Sequence, residues 1–466
     1  MTLPAKFVER VLRDLGGTEG AALCAALDAE PPVSVRLNPA KTGAETVSAG
    51  PDAGLPALAI AGRVPWSRDG RYLAVRPSFT LDPDFHAGAY YVQEASSQFV
   101  GHLLAAVRTE GARILDLCAA PGGKTTLYAS LAGPDGLVVA NEIDRRRASV
   151  LADNVRKWGT GNVAVTTCEP RALGDFEAWF DVVAVDAPCS GEGMFRKDPD
   201  ARGEWSEGNV KQCAARQDEI LREAWRALRP GGTLVYSTCT FNRDEDEGAL
   251  ERMAVWAGDE IAELEETAVE DAWGIVCGRV GAFRTFRFYP HRTCGEGFFA
   301  AVARKSFDAG GRVRAPKARR TVFAAVDRKT AGELARWVRN PGGMHFAAVA
   351  DTCYAWYAAQ ADAVRTLSEA LPVIYSGVAL GQVFKGVLKP DPALAFFDGL
   401  NRGALPAAEL DDEETLRFLR RQDIAAGGLA EGMNLVCSRG RALGFAKRIG
   451  ARVNNLYPNS LRIIKQ

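Results

Sequence analysis

The 466-residue sequence has no Cys-x-x-Cys pair, no cluster of cysteines or histidines and no run of about 18 apolar residues. Its ten cysteines are scattered. Neither a disulfide framework nor a zinc site is expected, and the thiols read as reduced. The first residues, MTLPAKFVERVLRDLGG, lack the basic-then-apolar order of a secretory signal, so a cytoplasmic chain without a membrane segment is expected. Internal repeats and low-complexity tracts are missing too. So is any overall charge excess, since 57 Lys+Arg face 58 Asp+Glu. That balance hides an asymmetry: residues 301–466 hold 25 basic against 15 acidic side chains and carry +10, leaving −11 for residues 1–300. A basic C-terminal third implies a polyanionic partner.

The length suggests about three or four units, and 47% hydrophobic with 25% charged residues describes an ordinary globular protein. Residues 1–80 combine a helical stripe (Phe7, Val8, Val11, Leu12, Leu15) with a strand-like VSVRLN and read as a small N-terminal α+β unit. In residues 81–305 the apolar runs RILDLC, LVVANEID, VAVTTC, FDVVAVDAP and GGTLVYSTC alternate with helical stretches. Continuous apolar strands separated by helices predict an α/β, doubly wound parallel sheet covered on both faces. The polar, basic SFDAGGRVRAPKARR reads as a linker opening residues 306–375, which also hold a helical piece near 328–339. Residues 376–466, with MNLVCS and ALGFAKRIGARVN, predict a mixed or mainly β module.

LDLCAAPGGKTTLYASL raises the question of what its glycine turn holds. A phosphate-binding G-x-x-x-x-G-K-[ST] loop would need glycine where Cys118 stands, and G-x-G-x-x-G is absent. What remains is a strand, a tight Pro-Gly-Gly turn and a helix, with Glu142 ending the next strand where a carboxylate can accept from ribose hydroxyls. Such a turn suits a nucleoside carrying little or no phosphate, such as S-adenosylmethionine, although a purely structural βα turn has the same form.

DAPCSGEG and STCT then place Cys189 and Cys239 at the carboxyl ends of two successive strands. A thiolate added to carbon 6 of cytosine makes carbon 5 nucleophilic toward a sulfonium methyl, and a carboxyl group near ring nitrogen 3 stabilises the adduct. Asp186 is the candidate for that carboxyl. Cys24, Cys168, Cys213, Cys277, Cys294, Cys353 and Cys437 read instead as small buried hydrophobes.

Together YYVQEASSQ, DLCAAPGGKT, NEIDRRR, DAPCSGEGMFRKDP, LRPGGTLVYSTCTFNRDEDE and PHRTCGEGFFAA resemble the NOL1/NOP2/Sun family of RNA cytosine-C5 methyltransferases. The resemblance implies a Rossmann-like S-adenosylmethionine methyltransferase core, no metal, and ribosomal RNA or the small ribosomal subunit as partner of a monomeric enzyme. It implies that Cys239 is the nucleophile, Cys189 assists product release, and Asp186 contacts base and donor. Cys118, Ala119, Ala120, Pro121, Gly122, Gly123 and Lys124 would wrap the donor, with Glu142 on its ribose. Glu169 stands where the family commonly has Asp near the adenine, which keeps an acceptor but changes its reach. LPAKFVERVLRDLG, VSVRLNPAK and the C-terminal segment resemble the extension and PUA-like tail of the bacterial 16S ribosomal RNA branch. The tail cations Arg439, Arg441, Lys447, Arg448, Arg452, Arg462 and Lys465, with Phe445 and Tyr457, are expected to face RNA. A transfer RNA methyltransferase and a non-catalytic ribosome-assembly factor are the competing readings, and a DNA methyltransferase is disfavoured.

Overall fold

The computed structural model describes residues 2–43, 54–265 and 267–464. Its central sheet comprises β1 (Arg113–Asp116), β2 (Leu137–Asn141), β3 (Val163–Thr166), β4 (Phe180–Asp186), β5 (Leu228–Thr238), β6 (Ile261–Ala262), β7 (Val276–Val280), β8 (Phe283–Phe288), β9 (Phe298–Lys305) and β10 (Val373–Ser376). The order is β7-β8-β9-β5-β4-β1-β2-β3-β10, with β6 beside β9. Strands β1 to β5 run parallel, whereas β7, β8, β9 and β10 pair antiparallel. The apolar runs account for the parallel part, since β2 and β3 are buried at every position between two helical layers. From β1 the chain moves outward to β2 and β3, then returns to β4 on the other side. A crevice therefore opens at the carboxyl ends of β1 and β4, where doubly wound sheets bind ligands.

The N-terminal unit has helices Ala5–Leu15 and Gly17–Leu27 and an antiparallel sheet ordered Ile60–Arg63, Gly70–Leu73, Val33–Leu37, Tyr90–Val92. Phe7 and Val11 of the first helix pack against the central unit while Leu12 is exposed, and Phe7 meets Phe195 edge-on at 5.0 Å and Trp205 at 5.9 Å. From the same unit, Arg36 on strand Val33–Leu37 reaches under the glycine turn.

Two further sheets follow. One is ordered Ala324–Ala325, Met344–Val349, Thr352–Tyr357, Val378–Phe384, Val387–Pro390, and the other Ala407–Glu409, Gly432–Ser438, Arg441–Ile449, Arg452–Asn455. The apolar run PVIYSGVALGQVF is divided between sheets: Val373–Ser376 pairs with β3, and the next strand joins the five-stranded sheet. Gly377 makes the turn with φ of +60°, and a Cβ there would lie 2.4 Å from the Ala355 carbonyl. Among the described residues no helix is long and apolar enough to cross a membrane.

Two expectations are corrected. Cys277 and Cys294 are exposed, because Cys277 sits on the solvent-facing edge strand β7 and Cys294 in a surface loop. Half of the described tail cations, together with the two aromatics, are committed within the molecule. Arg439 pairs with Asp82 (3.3 Å), Asp84 (2.9 Å) and Asp412 (3.0 Å), and Arg441 pairs with Asp84 at 2.6 Å. Arg448 donates to the carbonyls of Ala426, Leu429 and Gly450. Phe445 and Tyr457 are buried in apolar clusters and offer no stacking face. Lys447, Arg452 and Arg462 remain exposed, and Lys465 lies outside the described residues.

Candidate active site

β1 ends in Asp116, and the following loop turns into helix Gly123–Ala132. The Ala120–Pro121 bond is cis, and Gly122 has φ of +112°. A Cβ on Gly122 would lie 3.1 Å from Leu151 Cδ1, so the turn needs glycine for both its backbone and its packing. The loop is held from outside: Tyr91 Oη and Asn154 Nδ2 donate to the Pro121 carbonyl at 3.1 and 2.8 Å, and Arg147 donates to the Ala120 carbonyl at 3.0 Å. Beneath it, Arg36 donates to Thr126 Oγ1 at 2.6 Å and to the Gly123 carbonyl at 3.1 Å. Burial pulls the pKa of Arg36 down to about 10, which leaves it cationic at neutral pH.

An open cleft is lined by Cys118, Ala119, Ala120, Pro121, Gly123, Lys124, Asp116 and Asp186, together with Tyr91, Val92, Gln93, Glu94 and Ser97. Lys124 Nζ bridges to Asp186 Oδ2 at 2.8 Å, and Ser237 Oγ donates to Asp186 Oδ1 at 2.8 Å. Burial works against the Lys124 ammonium, but the charge and hydrogen bond of Asp186, then Asp116 and Cys239, hold its pKa above the usual lysine value. Asp116 is 1% exposed; its Oδ2 accepts from Thr125 Oγ1 at 2.6 Å, and its Oδ1 has no hydrogen-bond partner among the described residues. Burial, only partly offset by Thr125, pushes the Asp116 pKa up to about 7. The cleft thus gathers carboxylates around a lysine already committed to one of them. A phosphate would meet negative charge there, whereas a sulfonium or ammonium group is complementary to it.

The two cysteines converge. β4 and β5 are parallel with Asp186 opposite Ser237, so the loops leaving them run side by side. Cys189 Sγ lies 3.0 Å from Cys239 Sγ and accepts from the Cys239 amide at 3.4 Å. The hydrogen bond to Cys239, and then burial, push the Cys189 thiol well up. Two sulfurs this close cannot both carry charge.

A buried polar network fixes both loops. Glu192 accepts from Thr240 Oγ1 (2.7 Å), the Phe241 amide (2.9 Å), Trp205 Nε1 (2.9 Å) and Asn242 Nδ2 (3.1 Å). Glu245 accepts from the Ser190 amide (2.9 Å), Gln217 Nε2 (3.0 Å) and Asn242 Nδ2 (2.7 Å). Each carboxylate ties the Cys189 loop to the Cys239 loop. Sequence reasoning passed over Asp116, Glu192 and Glu245, although their acids stand inside the quoted motifs RILDLC, DAPCSGEG and NRDEDE.

Five residues named from the sequence lie outside the cleft lining: Cys189 and Cys239, which converge next to it, and Gly122, Glu142 and Glu169. Gly122 packs behind the loop. Glu142 is buried at the end of β2, accepting from the Asp144 amide at 3.0 Å with Arg147 at 3.4 Å. Glu169 is exposed beyond β3, at the start of helix Pro170–Gly174.

Comparison with known proteins agrees with this geometry. Residues 103–304 match the model for 16S rRNA methyltransferase RsmB/F, residues 3–95 that for the N-terminal domain of 16S rRNA methyltransferase RsmF, and residues 406–463 that for the methyltransferase RsmF PUA domain. The chain is similar to the ribosomal RNA small subunit methyltransferase F of Shewanella loihica, with 32% identity over 418 residues covering 85% of this chain and 83% of that protein. Its counterpart in Escherichia coli is also 32% identical, over 419 residues, 85% of this chain and 84% of that protein. Among solved structures, a methyltransferase homologue from Pyrococcus horikoshii superposes with a TM-score of 0.54 and 28% identity, covering 64% of this chain and 94% of that one. The chain belongs to the RsmF family of ribosomal RNA small subunit methyltransferases.

Proposed function

We propose that this RNA methyltransferase transfers a methyl group from S-adenosylmethionine to carbon 5 of a cytosine in 16S ribosomal RNA, through a covalent bond between Cys239 and carbon 6. One observation carries the reading: the paired thiols of Cys189 and Cys239 stand beside the Lys124–Asp186 pair at the switch point of the sheet. S-adenosylmethionine, when bound, supplies an electrophilic methyl group. The loop from Cys118 to Lys124, Asp116 and Asp186 would hold it, with Glu142 and Glu169 toward its nucleoside end. The fit rests on the unpartnered buried Asp116 oxygen and on the anionic cleft, which favours a cationic ligand.

Cys239 acts as the nucleophile. It attacks as the thiolate, with the Lys124 ammonium as the nearby positive charge, while the Cys189 sulfur keeps its proton. Its sulfur bonds carbon 6 of the base, and the electron pair of the 5,6 double bond becomes available at carbon 5. Asp186, held by Lys124 and Ser237, takes up the proton that the Cys239 thiol gives up and passes it to ring nitrogen 3, so that the negative charge left on the ring by thiolate addition is neutralised. Once carbon 5 carries the methyl group, its proton passes to solvent water and ring nitrogen 3 returns its proton to Asp186; the 5,6 double bond reforms, and Cys239 leaves as thiolate while the Cys189 S–H donates to the departing sulfur and so assists release.

We assign RNA as the polyanion from family membership and from the exposed cations of the C-terminal third. We also propose that the N-terminal unit extends through Val92 and that the last two sheets part between Pro390 and Ala407, because each sheet then remains whole.

The test uses purified enzyme with 16S ribosomal RNA and methyl donor. Cys189→Ala should accumulate an RNA–protein adduct that survives denaturing electrophoresis, and Cys239→Ala should form none and leave the RNA unmethylated. An adduct with Cys239→Ala but not Cys189→Ala reverses the two roles. Absence of 5-methylcytosine in RNA treated with active wild-type enzyme rejects the reading.

A further inference from the structure

We propose that the β-hairpin Val378–Phe384/Val387–Pro390 of the five-stranded sheet is an RNA-docking element: the exposed ring of Phe384 stacks on an unpaired base, and neighbouring lysines take the flanking phosphates. This rests on RNA being the substrate. The hairpin has two unlike faces. Gln382 lies opposite Lys389 and Phe384 opposite Val387, so these four side chains share one face, and all are exposed. The alternate positions, Val383 and Leu388, pack into an apolar cluster and anchor the element.

Phe384 is 71% exposed and Val387 66%, an apolar pair at the tip where a hairpin is ordinarily polar. The turn between them is Lys385-Gly386, with φ of +51° and +77°. A tight hairpin needs positive φ at both positions, which Asn or Asp tolerates at the first and lysine does not welcome. A lysine is nonetheless held there, its ammonium 5.5 Å from the Phe384 ring centroid. Lys329 reaches the same turn at Gly386, and Arg328 stands beside it at the start of helix Arg328–Ala335.

Among the described residues, Arg328, Lys329, Lys385 and Lys389 form no ion pair; Asp327 caps the helix through the Thr330 amide, and Glu333 is engaged by Arg336 and the Leu388 amide. An exposed aromatic with Lys385 over its ring, and with further cations near the turn that form no ion pair, is complementary to single-stranded nucleic acid, whose bases offer π-faces and whose backbone offers negative charge. A duplex, with its bases already stacked, would engage only the lysines.

The experiment is fluorescence anisotropy of the full-length protein, without methyl donor, on a labelled 20-nucleotide oligocytidylate and on a 20-base-pair RNA duplex across a salt series. Phe384→Ala should weaken binding of the single strand about tenfold and leave the duplex unaffected, and Phe384→Tyr should restore it. Lys389→Gln should lower the single-strand salt slope by about 0.7. Single-strand affinity unchanged in Phe384→Ala overturns the proposal. So does a Phe384→Ala enzyme that methylates naked 16S ribosomal RNA normally but fails on assembled small subunits, which would assign the hairpin to a ribosomal protein. If the wild-type enzyme methylates no RNA while Phe384→Ala loses single-strand binding, the proposed reaction fails and the hairpin assignment stands.

Discussion

Two ion-paired clusters look alike as charges and differ in what surrounds them. Lys124 and Asp186 meet at the rim of a cleft, and the Asp186 side chain is 36% exposed. Arg439 and Arg441 meet Asp82 and Asp84, whose side chains are 2% and 1% exposed, where the last sheet touches the N-terminal unit. The first pair has thiols and open space beside it; the second has backbone carbonyls and further carboxylates. The contrast separates a half-solvated charge pair beside a cleft, to which we assign chemistry, from a buried one that joins distant units. Removing a partner strands a wet carboxylate in one case and dry carboxylates in the other.

The comparison breaks most visibly at the cleft. Lys124→Met should lower kcat/KM on 16S ribosomal RNA by on the order of a thousandfold, with unfolding free energy within about 1 kcal/mol of wild type. Equal damage to both would make that pair structural as well. The converse change, Arg439→Ala with Arg441→Ala, should cost about 3–5 kcal/mol in urea unfolding while the folded fraction keeps its turnover, because Asp82 and Asp84 lose their arginine partners in a dry site. Unchanged stability would refute the joining role.

Asp116 sharpens the contrast through pH. Its folded-state pKa of about 7 lies above the ordinary aspartate value of 3.8, so the folded protein holds this proton where the unfolded chain has lost it. Its stabilising contribution is complete below about pH 4 and is lost as pH rises toward 7. Asp116→Asn should therefore gain stability relative to wild type across that window and level off above it, read from urea midpoints at pH 5, 6, 7 and 8. A flat difference would show that Asp116 keeps no proton. The smallest effect is expected from Lys447→Gln with Arg452→Gln, both exposed. The salt slope of RNA binding should fall by about 0.7 to 0.9 for each phosphate no longer neutralised, with stability inside about 0.5 kcal/mol.

The catalytic edge was legible because its signals are local. Apolar runs fixed β1 to β5, and DAPCSGEG with STCT set two thiols on neighbouring strand ends. Long-range partnerships leave no such mark. Nothing near Arg439 in the sequence announces Asp84, 355 residues away, so Arg439 and Arg441, read as RNA-facing, are engaged within the molecule. The division of PVIYSGVALGQVF between two sheets escaped notice for a related reason: Gly377 turns the chain against the Ala355 carbonyl, a contact with another strand. Glu192 and Glu245 were visible as letters, but their work is to join two loops, which becomes evident only once both loops are in place.

The Asp84–Arg439 contact also sets a timetable. The N-terminal unit emerges from the ribosome with its two aspartates unmatched, and 355 residues must follow Asp84 before Arg439 exists. At ordinary translation speeds of about 5–20 residues per second, that interval is roughly 20 to 70 s. Throughout it the first unit synthesised waits for the last, so a chain that stops short of its final sheet also leaves its beginning unfinished.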